Sequence, residues 1–205
     1  MWQPYRNAVR EVLPQASIVI DKFHVVKMAN EALEQVRKTI RASLTDAQRR
    51  SLMRDRYILL KRKRDLMAKD QLILETWTEN FPALGKAYAM KEDFFAIWDA
   101  STKEEAHIRY FTWQEHIPPE IADAFVPIAL TVENWGDEIF NYWGHNGNIT
   151  NAFTEAKNGA LKVANRVGRG YSFSVIRAKV LFAEQIARKD PRMRKQFQPE
   201  EKTDQ

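Results

Sequence analysis

Residues 17–40 read SIVIDKFHVVKMANEALEQVRKTI, and the change of pattern within this stretch decides the fold class. Residues 17–21 form a β-branched apolar run between Pro14 and Asp21, which is typical of a short strand. From Phe23 onward the apolar residues recur at spacings of three and four, which predicts a long amphipathic helix that ends near Ile40. The stretch therefore predicts one strand followed by a long helix.

Helical periodicity dominates the remainder of the chain, and no second stretch favours a strand as clearly. Helices are predicted for residues 2–13, 46–67, 72–81, 83–99, 102–114, 119–143, 151–166 and 172–187. The turn signal GHNGN at residues 144–148 predicts a surface loop, and the polar tail beyond residue 189 is expected to be disordered. We expect a mainly α protein with a helical bundle in its middle.

Composition narrows the class of protein. The 205 residues include no Cys, which excludes a disulfide scaffold and a thiolate zinc site and favours a reducing cytoplasmic location. No apolar run of about 18 residues is present and the N-terminus does not resemble a signal peptide, so we expect no membrane association. A net charge of +5 fits a polyanionic partner, and equally a solvated basic surface.

Asp21 and His24 form the first candidate site, since an acid at a strand end and a His three residues later lie about one helical turn apart. The alternative is that Asp21 caps the long helix and His24 packs against it.

Glu155 forms the second candidate site, within Thr150-Asn-Ala-Phe-Thr-Glu-Ala-Lys-Asn158. A carboxylate at a helix start can bind a divalent metal, with Asn151 and Asn158 fixing its surroundings. The alternative is ordinary capping, because the helix dipole favours an acid in the first turn.

Two groups of basic residues are candidates for contact with a DNA backbone. The first lies between residues 49 and 64 and includes Arg49, Arg50 and Arg54; the second includes Lys162, Arg166, Arg169 and Arg177, close to Glu155 in sequence. A solvated helix is the alternative for the first group, whose charges spread around the helix. Positive charge beside a carboxylate is what a site for DNA phosphates needs.

Several segments, taken in order, resemble the transposases of bacterial insertion sequences of the ISL3 lineage. They are Trp2-Gln-Pro-Tyr5, Leu13-Pro14, Ile18 to Val25, Thr150 to Gly159, Lys162 to Arg166, Gly168 to Phe173 and Ile176 to Lys179. Their order and spacing match the family, and together they cover nearly the whole chain up to the tail. Ala152 and Ala156 stand where many members have Gly.

This resemblance implies a ribonuclease H-like core in which two Asp and one Glu bind two magnesium ions, with a helical insertion before the Glu. Glu155 matches the third acid, a catalytic metal ligand, and Asp21 with His24 matches an Asp-x-x-His signature. The family's second Asp directly precedes the Trp-x-x-Tyr segment, so we expect both Asp residues upstream of Met1. Magnesium binding is then expected to be weak or absent, because two ions need several carboxylates.

The resemblance also predicts the organisation of the chain. Residues 1–24 are expected to be a remnant of the α/β core, 25–145 the helical insertion, 146–188 the C-terminal core helices with Glu155, and 189–205 the tail. We expect a C-terminal fragment of a DDE transposase that is inactive alone. The alternative is a non-catalytic module that binds DNA or oligomerises. The expected partners are transposon-end DNA and either intact transposase or a second copy, with a nucleoid-associated location.

Overall fold

The computed structural model describes residues 3–145, 149 and 151–189, and within them the chain is mainly helical. Its helices are α1 (Gln3–Val12), α2 (Lys22–Ile40), α3 (Asp46–Arg54), α4 (Arg56–Leu60), α5 (Ala68–Asn80), α6 (Pro82–Ile97), α7 (Lys103–Glu115), α8 (Ala122–Phe140), α9 (Ala152–Val167) and α10 (Phe173–Lys189). The chain divides into an N-terminal unit, Met1–Ile149, and a C-terminal unit, Thr150–Gln205. No helix in the described ranges is both long and apolar enough to cross a membrane.

Capping residues set the starts of several helices. Thr45 accepts a hydrogen bond from the Gln48 N–H and the Gln48 side chain accepts one from the Thr45 N–H, which is the reciprocal capping box that starts α3. The single helix predicted for residues 46–67 is wrong, because the chain turns at Asp55. That turn brings the buried Asp55 carboxylate within 3.0 Å of the Trp77 indole N–H.

The strand predicted for residues 17–21 is also wrong for the part of the chain that the structure describes. The segment has no regular secondary structure, and the end of α8 binds two of its backbone groups: the Ile20 N–H donates to the Glu138 carbonyl (2.9 Å) and the Asn141 side chain donates to the Ile18 carbonyl (3.1 Å). A strand needs a neighbouring strand as hydrogen-bond partner. In the described chain these two groups bond to the end of a helix and not to a second strand, which the β-branched pattern did not indicate.

Helix α6 forms the centre of the N-terminal unit, with α2, α5 and α7 packed around it and α8 packed against α2. Its buried side chains include Lys91, which is fully enclosed. The Lys91 ammonium donates to the carbonyls of Leu59 (3.1 Å) and Lys61 (2.6 Å) at the end of α4, and lies 4.0 Å from the centre of the Tyr88 ring. A buried cation thereby satisfies carbonyls that the end of α4 leaves without intrahelical partners.

Polar contacts hold α1 against α8, because α1 buries no side chain. Arg10 and Arg6 reach the buried Glu138 carboxylate at 2.7 and 3.5 Å, and the Arg6 guanidinium lies 4.1 Å from the centre of the Trp135 ring. Trp135 has a non-helical backbone (φ −132°, ψ 18°), so α8 is kinked where this contact forms.

The C-terminal unit is a hairpin of α9 and α10, called the hairpin below. Partly buried residues on each helix, among them Leu161 and Ile176, mark the seam between them. The break predicted at Gly168-Arg-Gly170 is confirmed, and it needs both glycines. Gly170 has φ +100°, and a Cβ at residue 168 would overlap the Tyr171 ring.

Two further sequence predictions fall partly outside the described residues. Residues 146–148 of the predicted loop are not described, and neither is the predicted tail beyond Lys189.

Candidate functional site

Glu155 lies in the first turn of α9 with an exposed side chain. Its backbone N–H donates to the Asn151 carbonyl at 2.9 Å, which closes the first turn of the helix. The amino-terminal end of a helix dipole favours a negative side chain at this position. The helix start predicted from the sequence is confirmed, and it presents the Glu155 carboxylate at the surface.

One face of α9 carries Glu155 together with cations. Gly159, Lys162 and Arg166 follow Glu155 by four, seven and eleven residues, which at 100° per residue keeps all four within an arc of about 60°. Asn158 borders this arc. All these residues are exposed. We call the set of Glu155, Gly159, Lys162 and Arg166 the Glu155 face.

The dimensions of the Glu155 face follow from the rise of a helix. Glu155 and Lys162 are about 10 Å apart along the axis, and Lys162 and Arg166 about 6 Å apart. Gly159 lies between the acid and the first cation and leaves that part of the face without a side chain. The face therefore offers a shallow, unobstructed surface with a carboxylate at one end and two cations at the other.

The net positive charge of the protein is concentrated in the same hairpin. Residues 151–189 contain eight Lys or Arg and two Asp or Glu, whereas residues 1–150 contain 20 and 21. Arg169 and Arg177 belong to the hairpin and are exposed, with Arg169 in the turn and Arg177 on α10. A polyanion is therefore attracted to the hairpin more than to the N-terminal unit.

Asp21 and His24 lie at the start of α2. Asp21 is its N-cap: the side chain accepts a hydrogen bond from the Phe23 N–H (2.9 Å), and the His24 N–H donates to the Asp21 carbonyl (3.0 Å). The capping alternative for Asp21 is confirmed. The His24 ring is exposed and meets the edge of the Phe23 ring.

The described residues do not make a complete metal site. Among the residues whose side chains the structure describes, no three His, Asp or Glu come together in a way that could hold a metal ion. Glu155 supplies one carboxylate, and a two-metal centre needs several.

The basic run between residues 49 and 64 is largely engaged in ion pairs within the N-terminal unit. The pairs are Arg49–Asp46 (3.5 Å), Arg54–Asp55 (3.3 Å), Arg56–Glu34 (3.1 Å), Lys61–Asp70 (2.9 Å) and Arg62–Asp99 (2.6 Å). The hydrogen bond from Arg62 lowers the pKa of the Asp99 carboxyl. Cations that already contact acids have less charge to offer a phosphate, although Arg50 on α3 is exposed.

The sequence interpretation missed the common face of Glu155, Lys162 and Arg166. The signal was present, because spacings of seven and four residues place side chains on one side of a helix. It also missed the buried Glu138, whose neighbours in sequence are the exposed Asp137 and the apolar Ile139. Nothing in that local pattern distinguishes the buried acid from the exposed one.

Comparison with known proteins gives a family for the chain. No curated protein and no solved structure matches it. A family model described as a transposase, of the DDE type and the ISL3 group, matches residues 1–180. The matched range includes the start of α2 with Asp21 and His24 and the whole of α9 with Glu155. This chain belongs to the ISL3 family of DDE transposases.

Proposed function

We propose that the chain acts in DNA transposition and that the Glu155 face binds the phosphodiester backbone of the DNA. The observation that carries this proposal is one exposed helical face that combines Glu155 with Lys162 and Arg166, in the hairpin that holds the excess positive charge. Membership of the family supports DNA as the substrate.

The cations of the face have a positioning role in this proposal. Lys162 offers a point charge to phosphate oxygens, and Arg166 offers a planar fork that can bind two of them. Contacts of this kind fix the register of a strand without reading its sequence. A strand that lies along Lys162 and Arg166 would pass within about 10 Å of Glu155.

Glu155 is proposed as a catalytic carboxylate that binds one metal ion. Transposition requires in-line displacement at phosphorus, and in DDE enzymes divalent metal ions held by carboxylates supply that chemistry. The family resemblance supports the assignment of Glu155 as the third acid, with magnesium as the expected ion. Because Glu155 is a single carboxylate, we expect the isolated chain to bind magnesium weakly.

The remaining assignments from the resemblance are part of the same proposal. Residues 1–24 and 146–188 would belong to a ribonuclease H-like core, and residues 25–145 to the insertion. Asp21 and His24 are proposed as positioning residues at the start of α2.

DNA affinity tests the proposed face. In fluorescence anisotropy with a labelled duplex at low salt, Lys162→Ala/Arg166→Ala is expected to weaken binding at least about tenfold. The matched variant Lys27→Ala/Lys69→Ala removes the same charge from the N-terminal unit and should change affinity little. Equal losses in both double variants would show general electrostatics and would reject the Glu155 face as the site.

Catalysis is tested separately. In a magnesium-dependent strand-transfer assay with transposon-end DNA, we expect the isolated chain to bind the DNA without cutting it. Cleavage that disappears in Glu155→Gln would contradict the expected inactivity while supporting the role of Glu155.

A non-catalytic DNA-binding module is the second candidate, favoured by the concentration of cations in the hairpin. To distinguish it, this chain would replace the C-terminal part of an active transposase of this family, once with Glu155 and once with Glu155→Gln. Full activity with Glu155→Gln would favour the module, and loss of activity would favour the catalytic assignment.

A further inference from the structure

A groove runs between α7 and α8 in the N-terminal unit, with a volume of about 700 Å³. Tyr110, Val132 and Phe140 form its buried base. Phe111 and Leu130 lie along its walls and leave 57% and 52% of their surface exposed. A surface that leaves large apolar side chains in water side by side is typical of a contact site for another protein.

The groove is bordered by acids. Its lining contains three acids, Glu133, Asp137 and Glu138, and two Arg from α1. Glu133 and Asp137 line the groove and are exposed on α8. Arg6 and Arg10 also line it, but both are bound to the buried Glu138 carboxylate. With both Arg side chains bound to Glu138, Glu133 and Asp137 are the acids of the groove that can meet the basic side chains of a partner.

Helix α10 has the complementary pattern. Val175, Ala178 and Phe182 recur at spacings of three and four residues and are all exposed, with 51% of Phe182 in water. Arg177 and Lys179 flank this apolar stripe on its two sides, at about 100° to either side of Ala178. Lys179 lies over the Tyr171 ring of the same hairpin, 4.9 Å from its centre. An apolar stripe between two cations is suited to a groove that offers the apolar side chains of Phe111 and Leu130 beside the exposed acids Glu133 and Asp137.

We propose that the α7–α8 groove binds helix α10 of a second copy of this chain, and that two such contacts, made reciprocally, form a dimer. Phe182 and Val175 enter the apolar part of the groove, and Arg177 and Lys179 meet Glu133 and Asp137. Reciprocal exchange closes the assembly at two copies, whereas one-directional docking would lead to chains of unlimited length.

The dimensions agree with this arrangement. From Val126 to Asp137 the groove follows α8 for about 16 Å, and Val175 to Phe182 spans about 10 Å of α10. One helix in one groove is a small contact, so the reciprocal pair is needed to approach the roughly 1,200–2,000 Å² that stable complexes bury. The Glu155 face lies on α9, so docking through α10 does not use it.

Charge reversal with rescue tests the dimer by sedimentation of the complete chain, free of nucleic acid, at low salt. The wild-type chain is expected to be dimeric at micromolar concentration. Glu133→Lys/Asp137→Lys and Arg177→Glu/Lys179→Glu should each raise the dimer Kd at least about tenfold, because like charges then face each other. All four positions are exposed, so circular dichroism should show unchanged helix content.

The mixture of the two charge-reversed variants is the decisive arm. In it each reversed groove meets a reversed helix, and each native groove meets a native helix, so a mixed dimer should form with the wild-type Kd. Glu75→Lys/Glu79→Lys on α5 makes the same charge change on exposed positions away from the groove and should leave the wild-type dimer intact. A monomeric wild-type chain, or a dimer that tolerates both reversals, would overturn the proposal.

Discussion

The N-terminal unit and the hairpin differ in where they keep their apolar side chains. The N-terminal unit buries Leu, Phe, Tyr and Trp side chains around α6. Among the residues of the hairpin whose burial is described, only Gly168 is buried. Phe153, Val167 and Phe173 of the hairpin are between 71% and 80% exposed. The N-terminal unit is thus stabilised by its own core, whereas the hairpin leaves its apolar side chains available for contact with partners.

Charge follows the same division. Acids and bases nearly balance in the N-terminal unit and many are paired there, whereas the hairpin carries a large excess of Lys and Arg. A unit with a substantial core tolerates changes at its surface. The hairpin buries few side chains, so its stability depends more on the conformation of its turn. Substitutions in the two parts should therefore have different consequences.

The largest expected effect is on the core of the N-terminal unit. Lys91→Met removes the hydrogen bond to the Leu59 carbonyl, one of the two hydrogen bonds to the Lys61 carbonyl, and the ion pair with Glu92. We expect a loss of roughly 3–5 kcal/mol in the free energy of unfolding, measured by urea denaturation. The control Lys86→Met removes an exposed lysine that pairs with Glu120, and it should change stability little. Similar losses in both variants would contradict a special role for Lys91.

A smaller, local effect is expected at the contact between α1 and α8. Glu138→Gln removes the charge that binds Arg6 and Arg10 and should cost about 1–3 kcal/mol. Because α1 buries no side chain, its amides should exchange with solvent faster in this variant, and trypsin should cut sooner at Arg10. The control Glu133→Gln changes an exposed acid on the same helix and should not affect α1.

The turn of the hairpin is the next point to test. Gly170→Ala forces a Cβ into a backbone with φ +100°, which should cost the hairpin about 1–2 kcal/mol. The control Gly159→Ala adds a Cβ with nothing within 4 Å and should make α9 more stable. Hydrogen exchange would separate the two parts: if Gly170→Ala also destabilised α6, the hairpin would not be an independent structural unit.

The smallest effect concerns pH. Burial lowers the pKa of His107, so the unfolded chain binds a proton more readily there than the folded chain does. The stabilising contribution of neutral His107 is complete above pH of about 6.5 and is lost as the pH falls through the lower folded value. His107→Gln should flatten the decline of unfolding free energy below pH of about 6.5, measured by urea denaturation across that range, and an unchanged decline would contradict the role of His107.

Helices were predictable from the sequence where an amphipathic pattern and a capping residue coincide. Asp21 and Thr45 both cap the helices whose starts they indicated. The lack of a strand at residues 17–21 in the described chain was not predictable, because a strand depends on a partner that local sequence does not specify. Lys91 was detectable in principle, since it continues the buried spacing of Leu84, Ala87 and Phe94, but a lysine there is more easily interpreted as exposed.

The candidate site shows the same limit. Its neighbours in sequence identify Glu155 only as an acid at a helix start, and the family supplies its proposed catalytic role. The common face with Lys162 and Arg166 follows from helical geometry alone. The pairing of the basic run on α3 and α4 with distant acids, such as Arg62 with Asp99, requires the tertiary structure.

The salt dependence of duplex affinity tests the assignment of DNA binding to the Glu155 face most directly. If Lys162 and Arg166 each contact one phosphate, Lys162→Ala/Arg166→Ala should reduce the magnitude of the negative slope of log K against log salt by about 1.8. Arg49→Ala/Arg50→Ala, on the competing basic helix α3, should leave the slope unchanged. An unchanged slope in the first variant together with a reduced slope in the second would contradict the Glu155 face and assign the DNA contact to α3.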